Sequence, residues 1–356
     1  MFAPLIAFIQ ATSFASPYPV RDLAFSNGGK GLLLVTEGSA AERNEHLNRF
    51  YYVPLDTLKP RLITTGVNQV VSHDGKLLAL EGRAHEVIDV FRISDGQKLC
   101  STIGDGVGTF SPDGTLFGYR VGDKTIKCLR ISDGQARELS KWKSSLSRFA
   151  PQGGHIYSHD ILDWDKSGMW VTTCFMTDQV HAKYVGTYID PAQDRIVGRA
   201  PDMDQNWLTR FSLNDGSRIL DELQDKSESM MDMNRIVRIR NGKRKVLWDC
   251  ADSLSAGHEM SADWTLRGKH IYLWGATEEE GNRGTSIAKV YSIDIDSARH
   301  ILIASGRYVM PKGMDGNTMY IDFSPDGSRM AYADFAGSQR VFIRRLGVRN
   351  ASPAVD

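Results

Sequence analysis

Net charge is absent: 43 lysines and arginines stand against 43 aspartates and glutamates. A neutral chain has no electrostatic footprint for a phosphate backbone, so nucleic acid is not an expected partner. Long hydrophobic runs are missing too. None approaches the ~18 apolar residues that a membrane-crossing helix needs, so no membrane span is expected. Cysteine is scarce, and Cys100, Cys128, Cys174 and Cys250 include no close pair. That excludes CxxC metal and redox motifs and leaves buried free thiols as the ordinary reading. No amphipathic helical segment of useful length stands out, and there is no GxSxG serine-hydrolase signature.

What the chain does have is a phrase written more than once. "FSPDGTLFGY" starts at Phe110 and "FSPDGSRMAY" at Phe323. Degenerate copies raise the number to seven: "FSNGGKGLLLV" from Phe25, "VSHDGKLLAL" from Val71, "WDKSGMWVTT" from Trp164, "FSLNDGSRIL" from Phe211 and "WTLRGKHIYLW" from Trp264 complete the set. The pattern is a bulky residue, a small polar turn ending in glycine, then an apolar alternating run. Proline presets φ in such a turn, aspartate caps its own backbone, and glycine takes the left-handed position. Successive copies lie 39 to 59 residues apart, in the range of β-propeller blades.

Two further strand-like runs follow each copy. Third strands are read at "RFYYVPL", "VIDVFRIS", "TIKCLRIS", "YVGTYID", "RIVRIRN", "KVYSIDI" and "RVFIRRL", and fourth strands at "RLITT", "KLCST", "ARELS", "RIVGR", "KVLWD" and "HILIA". The seventh unit has no fourth strand after Leu346. The strand-like "LIAFIQA", residues 5–11, would supply it by pairing onto the last blade and leaving no long edge open. The competing reading of the N-terminus is a signal peptide, whose usual positive start is lacking. A cytoplasmic location goes with the first reading, a periplasmic or secreted one with the second. The expected fold is all-β: one seven-bladed β-propeller of four-stranded antiparallel blades over residues 1–346. Its blades start near positions 20, 67, 106, 159, 206, 258 and 319, and a tail follows at 347–356.

The phrases "FSPDGTLFGY" and "FSPDGSRMAYAD" resemble the WD40-like repeats (PD40) of TolB-type β-propellers. The resemblance implies the fold, and it leaves function open among protein binding, carbohydrate chemistry and peptidase gating. The α/β domains that accompany such propellers in TolB and in the prolyl-oligopeptidase family have no counterpart here.

In a propeller the first-to-second and third-to-fourth turns share one face, and the remaining loops share the other. The first set is short and stereotyped ("SPDG", "SDGQ", "NGK"); the second is long and irregular, and long loops on a rigid scaffold are where binding usually resides. Three features are expected on that face. "SHDILDW" and "GHEMSADW" each carry a His-acid pair before Asp-Trp, which nominates His159, Asp160, His258 and Glu259 at the channel rim. Histidine and carboxylate suit a divalent metal or proton transfer, although hydrogen-bonded surface histidines are the plainer reading. Oligogalacturonate lyases, which resemble this architecture, work with a metal and histidines at a channel mouth, but no histidine follows His300 here. "SESMMDM" offers Met230, Met231 and Met233 as an adaptable contact surface. "ATEEEGNRG" offers Glu278, Glu279 and Glu280 to a basic partner, unless it is only a solvated loop tip. The balance falls on a non-catalytic scaffold that binds a protein partner through the long-loop face and needs no cofactor. The alternative is a metal-dependent carbohydrate-active enzyme with its site at the channel mouth.

Overall fold

The computed structural model describes residues 12–82, 86–104, 108–177, 182–200, 207–213, 215–222, 235–249, 262–278, 285–309, 320–333 and 339–346. These form antiparallel four-stranded meanders in chain order. The first sheet holds Val20–Ser26, Gly31–Glu37, Asn48–Pro54 and Arg61–Val71. Its last strand runs on into a second set, Leu77–Glu81, Val87–Arg92 and Lys98–Ile103, so that seven strands are continuous. The register slips between Val67 and Val70, and Asn68 sits at φ 48°, which lets one long strand leave one sheet and open the next. The two halves are called the first and second sheets below.

The third sheet is Thr109–Phe110, Leu116–Val121, Thr125–Arg130 and Ala136–Leu139, and the fourth is His155–Asp165, Gly168–Met176, Ala182–Asp190 and Arg195–Arg199. The fifth is Trp207–Ser212, Arg218–Glu222, Arg235–Arg240 and Lys243–Asp249. The sixth is Ala262–Arg267, His270–Glu278, Thr285–Asp294 and His300–Val309. The seventh takes Tyr320–Phe323, Arg329–Ala333 and Arg340–Arg345 from the end of the chain and Thr12–Ala15 from its start, with Thr12 opposite Ile343 and Ala15 opposite Arg340. The chain termini thus meet in one sheet, through residues 12–15. Residues 5–11, expected in that role, lie outside the described residues.

The repeated turn works as its composition requires, with its serine as a further part. Ser111 donates its hydroxyl to Asp113 at 2.6 Å and accepts the Leu116 N–H at 3.0 Å, while Asp113 accepts the Thr115 N–H. Ser324 and Asp326 repeat the pattern, as do Ser72 and Asp74. Gly114 and Gly327 take φ 69° and 67°. The serine is buried and closes the turn internally.

Apolar side chains weld neighbouring sheets. Phe14, Val20, Leu23 and Phe25 pack with Ala331, Ala333, Val341 and Ile343, joining first to seventh. Leu33, Phe50 and Tyr52 meet Leu78 and Phe91 between first and second, and Val90 meets Phe117 and Tyr119 between second and third. Ile126 and Cys128 meet Trp164 and Met169 between third and fourth. Trp248 meets Trp264 between fifth and sixth, and Tyr272 and Trp274 meet Phe323 between sixth and seventh.

Among the described residues a 3-10 turn at Asn27–Gly29 and two further short helical pieces connect strands, none of them marked by a helical period in the sequence. Ala40–Arg43 is held by a capping box between Ser39 and Glu42. A 3-10 segment, Lys141–Arg148, is anchored by buried Trp142 and Leu146, and Asp194 accepts the N–H groups of Ser140 and Lys141 at its start. Among the described residues no helix is long and apolar enough to cross a membrane.

Candidate functional site

The "SHDILDW" segment is not a loop. It lies inside the strand His155–Asp165, which keeps pairing with Gly168–Met176 through two register shifts. His159 is therefore in the packed interior, 1% exposed, and not at a rim. Its ring meets the Trp142 indole edge-on at 4.9 Å, and Nδ1 is 3.0 Å from the Thr173 hydroxyl. Burial, reinforced by Lys143 and Lys124, brings its pKa down to about 4, so the ring is neutral at physiological pH. Asp160 points elsewhere and pairs with Arg120 at 2.5 Å. The two neighbours in sequence do not act on a common point. His258, Glu259, Met230, Met231, Met233, Glu279 and Glu280 lie outside the described residues, as does the side chain of Glu278.

The structure gathers a different set, carried by the first strands of the sheets. Asp22, Asp163, Asp263 and Asp322 each accept the N–H of the residue that follows, at 2.8 Å for Leu23 and 2.7 Å for both Trp164 and Trp264. Three of the four stand directly before the buried aromatic that starts the repeated phrase. Strand alternation sends that aromatic into the sheet-to-sheet core and the aspartate to the other side. Burial raises the Asp22 carboxyl to about 6, and the nearby charges of Asp322 and Asp263 add to the rise; Gln69 and the Leu23 N–H work against it. Burial also raises Asp163, with His73 of the second sheet opposing. The acids of the first, sixth and seventh sheets thus feel one another, and that of the fourth feels the second. "ADW" and "LDW" are visible in the sequence, but the histidines upstream of them are the more conspicuous ligand types.

Asp322 is the most embedded of the set. One oxygen accepts the Phe25 N–H at 2.6 Å, and the other holds Arg267 at 2.6 Å. Arg267 also donates to the Phe323 carbonyl and to the Thr265 hydroxyl. One carboxylate thereby links the sixth, seventh and first sheets. Burial still raises its pKa, despite Arg267. A protonatable Asp22 beside an ion-paired Asp322 could exchange a proton near neutrality. Among the described residues no group of three or more His, Cys, Asp or Glu is placed to hold a metal ion.

The long-loop face presents different chemistry. Val87 and Ile103 face each other across the second sheet's outer strands and are 37% and 71% exposed. Tyr157 and Tyr184 are exposed at the corresponding end of the fourth sheet. A pocket beside the short helix of the first sheet is lined by Ala41, Glu42, Glu45, Leu47 and Thr65.

The sequence matches no family model and no curated protein. Solved structures do match over nearly the whole chain. The β-propeller domain of Cps50 (Swd1) from Myceliophteria thermophila superposes with a TM-score of 0.50 at 10% identity, covering 94% of this chain and 99% of that one. Hydrazine synthase from Kuenenia stuttgartiensis gives 0.51 at 16%, covering 96% and 100%. Oligogalacturonate lyase from Vibrio parahaemolyticus gives 0.52 at 11%, covering 94% and 96%. At these identities the likeness is one of fold, and the chain has an all-β, β-propeller-type fold.

Proposed function

We propose that the chain is a seven-bladed propeller, closed by its N-terminal strand, which acts as a non-catalytic scaffold and binds a protein partner through its long-loop face. Ring closure is supported by the pairing of Thr12–Ala15 with Arg340–Arg345 and by the shared core of the first and seventh sheets. The docking face is supported by one observation above others: its apolar side chains Val87, Ile103, Tyr157 and Tyr184 are exposed on rigid strand ends. The short turns of the opposite face satisfy their own hydrogen bonds internally. Exposed aromatic and aliphatic side chains on a fixed frame are the usual anchors of an interface. Metal-dependent chemistry at His159 draws no support from a ring buried against Trp142 with Nδ1 at the Thr173 hydroxyl.

The test is a pull-down with the full chain and with a V87D/I103D/Y157D/Y184D variant, both checked for an unchanged circular dichroism spectrum. Proteins captured by the wild type and lost from the variant support the reading. Identical capture by both, or a monomer with which nothing co-purifies, overturns it.

A further inference from the structure

The turns between third and fourth strands repeat an acid. Asp56, Asp95, Asp133, Asp190 and Asp294 stand at or in these turns in the first, second, third, fourth and sixth sheets. In two of them the acid neutralises the arginine three residues earlier, Arg92 by Asp95 and Arg130 by Asp133. The fifth sheet departs from its siblings. Its hairpin reads Arg240-Asn-Gly-Lys243-Arg244-Lys245, with no acid. Asn241 and Gly242 take φ 50° and 73°, the two left-handed positions of a tight hairpin turn, so the cations are held on a stiff end.

The register concentrates them. Arg240 lies opposite Lys243 and Arg238 opposite Lys245, so four cations share one side of the sheet. Like charges directly opposite each other are destabilising. The local acids are taken up chiefly by one of them. Asp215 and Asp296 are both bound by buried Arg238, at 2.7 and 2.8 Å. Ser217 and Arg238 hold Asp215 down to about 2, and Lys269 and Arg238 hold Asp296 there too. Arg240 reaches Asp215 only at 3.6 Å, and Lys245 uses the Asp296 carbonyl. Residues 240 to 245 are all exposed.

We propose that this end of the fifth sheet, Arg240, Lys243 and Lys245 on the short-turn face, is a docking surface for an acidic segment of a protein partner. The surface is independent of the long-loop face. A short run of carboxylates fits its size, since three strand ends span only about 10–15 Å. Duplex recognition by ~6–10 phosphate contacts needs a longer basic tract, and this chain is neutral overall.

The test measures fluorescence anisotropy of a labelled poly-glutamate peptide against the full chain, over a range of salt concentrations. The peptide binds the wild type, and salt weakens the binding. R240Q/K243Q weakens it about tenfold, the product of two exposed ion pairs. N241D restores the acid that the other turns carry, tolerates the left-handed position, and weakens binding severalfold with the fold intact. It carries the test should the double variant fail to fold. Absence of binding, equal binding by N241D, or stronger binding of a single-stranded oligonucleotide or of phosphatidylserine vesicles would overturn the proposal.

Discussion

Asp322→Ala should cost about 3 kcal/mol of folding stability, and the figure follows from what the carboxylate touches. The side chain is 8% exposed and its partner Arg267 26%. Removing it orphans the Phe25 N–H inside the core, which costs ~1–3 kcal/mol. It also strips a partly buried guanidinium of its counter-charge. Breaking a buried pair costs about 3–5 kcal/mol, but Arg267 keeps the Phe323 carbonyl, the Thr265 hydroxyl and the Leu266 carbonyl, so the lower end applies. Asp322→Asn keeps an acceptor for Phe25 and should cost about half as much. Urea unfolding followed by tryptophan fluorescence reads both. In a double-mutant cycle with Arg267→Ala the two losses should be less than additive by at least ~1 kcal/mol. If Asp322→Ala stays within about 0.5 kcal/mol of the wild type, as an ordinary surface change would, the three-sheet link is not stabilising and the reasoning fails.

Two buried groups should oppose each other across acid pH. Asp22 titrates near 6 in the fold against 3.8 unfolded, so its contribution is complete below about pH 4 and is lost as pH rises through 6. His159 titrates near 4 against 6.5, so its contribution is complete above about pH 6.5 and is lost as pH falls towards 4. Each amounts to about 3 kcal/mol. The wild type should therefore show a shallow stability profile between pH 4 and 6.5, Asp22→Asn should lose stability on acidification, and His159→Asn should gain it; parallel profiles for all three would refute the assignment. Gly108→Ala should be severely destabilising, because a Cβ there would lie 1.9 Å from the Gly118 carbonyl oxygen; a thermal midpoint unchanged from the wild type would contradict the packing. Burial raises the Cys128 thiol to about 11, so native protein at pH 8 should leave it unlabelled by iodoacetamide, and rapid native labelling located by peptide mass would show that the third sheet opens.

The turn phrase made the fold legible because turn chemistry is local. Proline, aspartate and glycine act within four residues, and period-two alternation marks each strand that follows. Even the missing outer strand of the last sheet could be inferred by counting, although the pairing is seen at Thr12–Ala15 and residues 5–11 are not described. The site was less legible, because burial is not local. His159 reads as a ligand in "SHDILDW" and becomes a core residue only once Trp142, from a 3-10 turn of another loop, packs against it. The aspartates before Trp164, Trp264 and Phe323 look like ordinary strand punctuation. What raises Asp22 is burial, and the approach of Asp322 from the far end of the chain adds to it. The serine of the turn was readable in principle, since it recurs beside aspartate at Ser72, Ser111 and Ser324.

Closure of the ring by the two ends of the chain is best tested by a cross-link. Ala15 and Arg340 are paired residues on the exposed rim of the seventh sheet, and directly opposed strand residues hold their Cβ atoms ~4.5–5.5 Å apart, close enough for a disulfide after small adjustment. In an A15C/R340C variant, mild oxidation should produce an intramolecular disulfide, seen by peptide mass, and raise the thermal midpoint by several degrees by joining the chain ends. A pair that stays reduced, or that forms only intermolecular dimers, would contradict the closed ring.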